Sequence, residues 1–472
     1  SVPGWENVTT ATLRLNGCQV PAGTWTHATC AAIPEGLTVT STGGGWQPVT
    51  VTQYWVGGGA DDRMTTLANY KNAPESVDLS SGATAIKIQG GGQMLYGDGM
   101  LVNAVESQLK WTNATGGVVA PFVIGPADDG DALQIVNKIN LNQVCQTILR
   151  GHIATPFDLP QTAADQALNF SAVKVDKTMK DAVTAAGCRL GKGDDTNGYS
   201  LPLLLDGVTI DKPFLFSVMA NSSGSLVSLA GTTNLVNGLA KCAGSYQNYI
   251  MSEAGSLLDF HNGLTSPNSL RLSGGGVVKV SNRPYTNTAY TCVYDVRLVL
   301  DAEDCSVGGN QYGEGIMLQM NGSSVEFARS WALRDGLATL AITAYSGSEQ
   351  RFEFNQTTQR VGRVGFMNTH SKSCLRGDYP AMLEITGHDR PGSLYFQKAG
   401  NERYLDSLTM NVEGGLSVHL CSTNVDYVFT LSNRVFKSCG DLAVSGGTLA
   451  LAAGASWLNG TNFTAKGEGV LK

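Results

Sequence analysis

Two apolar residues spaced two apart, a glycine-rich break, then two more apolar residues spaced two apart: this pattern keeps returning along the chain. It reads LTVTSTGGGW over Leu37–Trp46, IKIQGGGQML over Ile86–Leu95 and LRLSGGGVVKV over Leu270–Val280. It returns as LTMNVEGGLSVHL over Leu408–Leu420 and DLAVSGGTLAL over Asp441–Leu451. Alternation at period two predicts a strand with one buried face. Glycine at the break permits the positive φ and close backbone approach that a tight corner needs. The glycine phrases start near Gly43, Gly90, Gly116, Gly274, Gly414 and Gly446. Most of their separations lie near multiples of roughly 23–26 residues, in the range of one solenoid coil. The fold class that follows is all-β, a parallel β-helix whose function resides in its surface and length.

The pattern divides the chain. Residues 1–36, which carry Cys18, Cys30, Trp5 and Trp25, are expected to form an N-terminal cap that closes the first coil. Residues 37–472 are expected to form the β-helix, interrupted by larger loops around 126–200. Two stretches there break the strand alternation, PQTAADQALNF (Pro160–Phe170) and VDKTMKDAVTAAGC (Val175–Cys188), and are the helix candidates. The repeat style runs to Lys472, so the expectation is either a longer protein or a neighbouring copy of the chain covering the last coil.

Composition agrees with this reading. Charged residues make up 15% of the 472, against about 25% in a typical soluble domain, and the 57 glycines are nearly twice the usual share. Such a chain suits turns and uncharged strand faces better than surface helices. With net charge −7 and no basic run, nucleic acid is not an expected partner. No apolar run approaches the ~20 residues that span a bilayer. The first residue is Ser1, which fits removal of an export signal.

Ten cysteines, none in a C-x-x-C, argue against a zinc ribbon and fit an oxidising compartment. The local disulfide candidates are Cys18 with Cys30, Cys145 with Cys188, and Cys421 with Cys439. Buried thiols are the other reading, since cysteine packs as a small hydrophobe. Asp128, Asp129 and Asp131, and likewise Asp194 and Asp195, sit among Gly and Pro. There Asp favours turns by bonding its own backbone; a calcium loop or a catalytic carboxylate pair are the alternatives. A further acidic group, Asp301, Glu303 and Asp304, is read the same way. No cofactor is expected beyond that calcium option. Trp46, Tyr54 and Trp55 would stack on sugar rings if exposed, or plug the end of the coil if buried.

From about Ser348 onward the chain resembles the autotransporter-associated β-strand repeat of secreted bacterial passenger domains. FNQTTQRVGRVGF (Phe354–Phe366), PAMLEITG (Pro380–Gly387) and above all LAVSGGTLALAAGASW (Leu442–Trp457) carry the resemblance. It implies a right-handed parallel β-helix outside the cell or on its surface, and no reaction, since the repeat is architectural. The cysteine content departs from the family, whose passengers are commonly cysteine-poor. The expected function is a structural or adhesive protein whose partners are glycans, host or cell-surface components, or copies of itself. The alternative is a carbohydrate-active β-helix enzyme. A lateral groove gathering carboxylates, a basic residue and exposed aromatics would favour the enzyme.

Overall fold

The computed structural model describes residues 201–217, 226–242, 248–289, 291–307, 323–333 and 350–361 almost continuously. Elsewhere it describes the strands, one α-helix, a single 3-10 turn and short flanking runs. The chain is nearly all β, a parallel β-solenoid, in two compact units, Ser1–Tyr246 and Gln247–Lys472.

In the second unit, strands pair in parallel with their counterparts one coil later, in three columns. One column begins with Asn248–Ser252, Leu270–Ser273 and Thr291–Tyr294. The next runs through Leu257–Phe260, Val277–Ser281, Arg297–Asp301, Ser324–Phe327 and Gln350–Glu353. The third begins with Leu264–Ser266, Tyr285–Asn287 and Ser306–Val307. Period-two alternation places like residues over like. Leu258, Val278, Leu298, Val325 and Phe352 stand in register, each at most 1% exposed. Beside them Phe260, Val280, Leu300 and Phe327 form a second buried file, with the Phe354 ring tilted against Phe327 at 5.1 Å. Burying such a side chain stabilises by about 1.5–3 kcal/mol, so the files supply the main drive for stacking.

The step from coil to coil is 20 residues from Leu258 to Val278 and again to Leu298, then 27 to Val325. The extra residues fall mainly between strands Ser306–Val307 and Ile316–Asn321, and the buried files keep their register across them. The glycine break in LRLSGGGVVKV is such a corner. Gly274 has φ +116, and a Cβ there would sit 2.5 Å from the Ser252 carbonyl oxygen. In LAVSGGTLAL the glycines act differently. Leu442–Leu451 is one continuous strand whose register shifts between Ser445 and Gly447. Its first half pairs with Ser417–Cys421 and its second with Val428–Leu431, so a bulge turns the corner.

The first unit repeats the scheme. Cys145–Ala154 and Leu203–Asp211 stack in parallel with a register shift between Arg150 and Gly151, and Gly151 and Gly207 both have φ +68. Leu168, Phe214 and Ala240 form a fully buried file. Coil strands Ala132–Ile135, Ile139–Asn142, Cys145–Ala154 and Leu168–Ser171 all fall inside the region expected to be looped. The interruption comes after them. Lys174–Val175 pairs antiparallel with Tyr199–Ser200, and between them lies the helix Lys180–Ala185. Of the two helix candidates the second holds the helix, at Lys180–Ala185, while its first residue, Val175, is strand; the described end of the first, residues 168–170, is strand. Gly187 ends the helix at φ +82, with Cys188 N donating to Val183 O and Gly187 N to Thr184 O, a Schellman closure.

At the N-terminus, Asn7–Thr10 runs parallel to Thr38–Ser41, which pairs antiparallel with Gly23–Thr26. Trp25, 3% exposed, is buried there.

The expected Cys145–Cys188 bridge is not made. Cys188 is a buried thiol packed with Val183 and Leu201, because the helix turns it into a local apolar cluster. Burial pushes its pKa up, against a hydrogen bond from the Gln146 backbone. Cys242, Cys292 and Cys305 are also buried thiols, so among the described side chains cysteine acts as a core residue. Cys30 and Cys439, and the side chains of Cys18, Cys145 and Cys421, lie outside what is described.

Candidate ligand-binding surface

Outward positions of the middle column in the second unit carry charge. Asp259 is in register with Lys279, Lys279 with Val299, Val299 with Glu326, and Glu326 with Glu353. Lys279 Nζ lies 2.8 Å from Asp301 Oδ2, and Arg329 Nε 3.6 Å from Asp301 Oδ1. Arg297 pairs with Glu326 and reaches Glu353 Oε2 at 3.7 Å, while Asn355 Nδ2 donates to Glu326 Oε1 at 2.6 Å. The hydrogen bond to Asp301 holds the Lys279 ammonium above its ordinary pKa, with the fields of Asp301, Asp259 and Glu326 adding. This is a charge-paired ladder. Glycoside hydrolysis needs one carboxyl to protonate a leaving group and another to act as base or nucleophile. Here each carboxylate is already held by a cation, an amide or a hydroxyl.

Serine, histidine and aspartate also meet on this face, in an order that opposes nucleophilic catalysis. Asn282 Nδ2 donates to His261 Nε2 at 2.7 Å, which leaves the proton of a neutral ring on Nδ1. That nitrogen lies 3.3 Å from Ser281 Oγ, and Ser281 donates to Asp259 Oδ1 at 2.7 Å. The imidazole therefore gives a hydrogen bond to the serine instead of taking its proton. Ser281 is also buried, at 3% exposure. In the first unit, His152 Nε2 lies 2.5 Å from Asp211 Oδ2, and Asn237 donates to the other carboxylate oxygen at 2.5 Å. These three residues brace successive coils.

The corner after the charged ladder differs from its surroundings. Among the described residues, the large hydrophobic side chain left open to solvent is Trp331, at 42% exposure. Its φ is +59, in the left-handed region. Other non-glycine residues with positive φ are Asn282, Asp295, Asp304 and Asn355, types that tolerate it. For a bulky residue the conformation costs about 1–2 kcal/mol. Surrounding bonds impose it. Trp331 N donates to Thr358 O at 2.9 Å, Asp304 N to Trp331 O at 3.2 Å, and Thr358 N to Ser330 Oγ at 3.1 Å. Gln359, fully buried, donates to Arg329 O at 2.7 Å and accepts from Leu333 N at 3.2 Å. The Arg360 guanidinium lies over the indole, 5.0 Å from its centroid. Asp304, Trp331, Leu333 and Arg360 line a cavity of about 220 Å³.

The residues singled out in the sequence fall largely elsewhere. Trp46, Asp128, Asp129, Asp131, Asp194 and Asp195 lie outside the described residues, as do the side chains of Tyr54 and Trp55 in strand Val51–Trp55. No group of His, Cys, Asp and Glu among the described residues is placed to hold a metal ion. No helix among them is long and apolar enough to cross a membrane. Trp331 and Arg360 escaped sequence reasoning; Asp304 was seen only as one of several turn carboxylates. The usable signal was spacing. Asp304 and Trp331 occupy equivalent corner positions one coil apart, and a tryptophan is foreign to a position that suits Asn or Asp.

No protein-family model matches the chain, and neither a curated protein nor a solved structure does.

Proposed function

We propose that the protein is an extracellular structural or adhesive β-solenoid, displayed on or released from a bacterial surface, of the autotransporter-associated repeat kind. One observation carries the non-catalytic reading. Among the described residues, four carboxylates along the middle column of the second unit, Asp259, Asp301, Glu326 and Glu353, are engaged in bracing successive coils. A solenoid braced in this way offers a long, stiff lateral surface, which suits display and adhesion. The test is a glycan array and a cell-binding assay run beside an activity screen on acidic polysaccharides. Retention on glycans or cells with no shortening of the polysaccharides is the expected outcome. Turnover that disappears in Glu326→Gln would instead establish the carbohydrate-active enzyme. That second reading draws on Glu326 and Glu353 standing on successive coils beside Arg297.

A further inference from the structure

We propose that the corner formed by Asp304, Trp331, Leu333 and Arg360 is a subsite for a single neutral pyranose ring. The proposal rests on the adhesive reading and names the ligand chemistry of one place on that surface. Its first support is the backbone. A tryptophan stands in a left-handed conformation that asparagine or aspartate would take more easily, and its ring is not used to fill the core. The second support is the lining. The cavity, about 220 Å³, is below the roughly 300–1,000 Å³ that encloses a drug-sized molecule, and so suits one ring.

The chemistry of the walls selects the ligand. An indole face is electron-rich, and the axial C–H groups of a pyranose carry slight positive charge, so the two stack. Leu333 extends the apolar wall. The Asp304 carboxylate brings acceptors for the hydroxyl groups of a sugar ring, and Arg360 brings a positive charge to the same lining. The two charges are equal and opposite, so the subsite as a whole prefers an uncharged ring to a uronate. Arg360 lies over one face of the indole at 5.0 Å and holds the ring in place, so the sugar is assigned to the opposite face.

The experiment titrates the intact chain with the methyl β-glycosides of glucose, galactose and mannose and with methyl glucuronide. Saturation-transfer NMR and tryptophan fluorescence are the readouts. A neutral hexoside is expected to bind with a Kd on the order of millimolar, as one ring on a small open subsite should. Trp331→Asn is expected to weaken it about tenfold or more, while its urea midpoint stays equal or rises, since Asn accepts the left-handed corner. Trp331→Phe keeps a ring and is expected to stay within a few-fold of the parent; it serves as the second variant should the first fold poorly. The assignment is overturned if hexosides bind the parent and Trp331→Asn alike, if only the glucuronide binds, or if no glycoside binds the parent. Should Trp331→Asn keep the array or cell adhesion of the parent while no hexoside binds, the subsite falls and the adhesive reading stands. Hexoside binding at Trp331 in a chain that turns over polysaccharide would sink the adhesive reading and keep the subsite.

Discussion

Lys212 offers the sharpest test of the packing argument. It lies between Leu203–Asp211 and Phe214–Ser217, is fully buried, and burial lowers its pKa from 10.5 to about 7. In the unfolded chain the amine regains its ordinary value, so between about pH 7 and 10.5 the unfolded state binds more protons than the folded one. Stability attributable to this residue must therefore rise as pH climbs through that window, and be lost as pH falls from about 10.5 to about 7, below which it no longer changes. At about 1.4 kcal/mol per pKa unit the full swing is on the order of 5 kcal/mol, most of it already weighing against the fold at neutral pH. Lys212→Met fills a similar volume without the charge. Urea unfolding of parent and variant at intervals from about pH 6 to 10, with the difference taken at each pH, cancels every other titration. The variant is expected to be more stable near pH 7 by up to about 4 kcal/mol, with the advantage shrinking steadily toward pH 10. A difference that does not change with pH would refute the reasoning, because it would mean the amine titrates alike in both states.

Four further outcomes follow from the same packing. Gly238→Ala should destabilise by several kcal/mol in urea unfolding, since its Cβ would sit 1.7 Å from the Lys212 carbonyl oxygen. Gly231→Ala, at φ +71 with nothing within 4 Å, should cost only about 1 kcal/mol. Phe327→Ala removes a ring stacked on Phe352 at 5.9 Å and tilted against Phe354 at 5.1 Å, and should lower stability by about 3–5 kcal/mol in the same assay. Cys305, whose pKa burial pushes to about 12, and Cys188 should resist iodoacetamide in the native protein, yet both should be alkylated in urea without reductant, as mass spectrometry would detect.

The coil was legible because two local signals coincide in it. In LRLSGGGVVKV the alternation of Leu270, Leu272, Val278 and Val280 sets the buried face, and Gly274 and Gly275 supply the positive φ between the strands. Neither depends on distant partners. The bulge at Ser445–Gly447 was not distinguishable from a corner, because glycine permits both and the pairing of neighbouring coils decides. Cys188 misled for a related reason. Even cysteine number and short spacing suggest bridges, but the helix that turns this thiol toward Val183 and Leu201 is a tertiary fact. The Trp331 corner was hidden most deeply. Trp331 lies inside the apolar run VEFARSWALRDGLATLAITAYSG and reads there as core. Its exposure appears only when Asp304 below and Thr358 above fix the corner.

Among the described residues, the Gln146 side chain fastens the excursion between Ser171 and Leu203 to its coil, beside the hydrogen bond from the Gln146 backbone to Cys188. Gln146, 1% exposed, donates through Nε2 to Arg189 O at 2.7 Å and accepts from Arg189 N at 2.7 Å, imitating a peptide group in a strand ladder. A glutamine thus supplies the latch for a segment that interrupts the winding without joining it. Such an attachment makes the segment exchangeable: another loop offering one exposed backbone amide and carbonyl could be clasped in its place, and the spiral beneath would keep its own bonding unchanged.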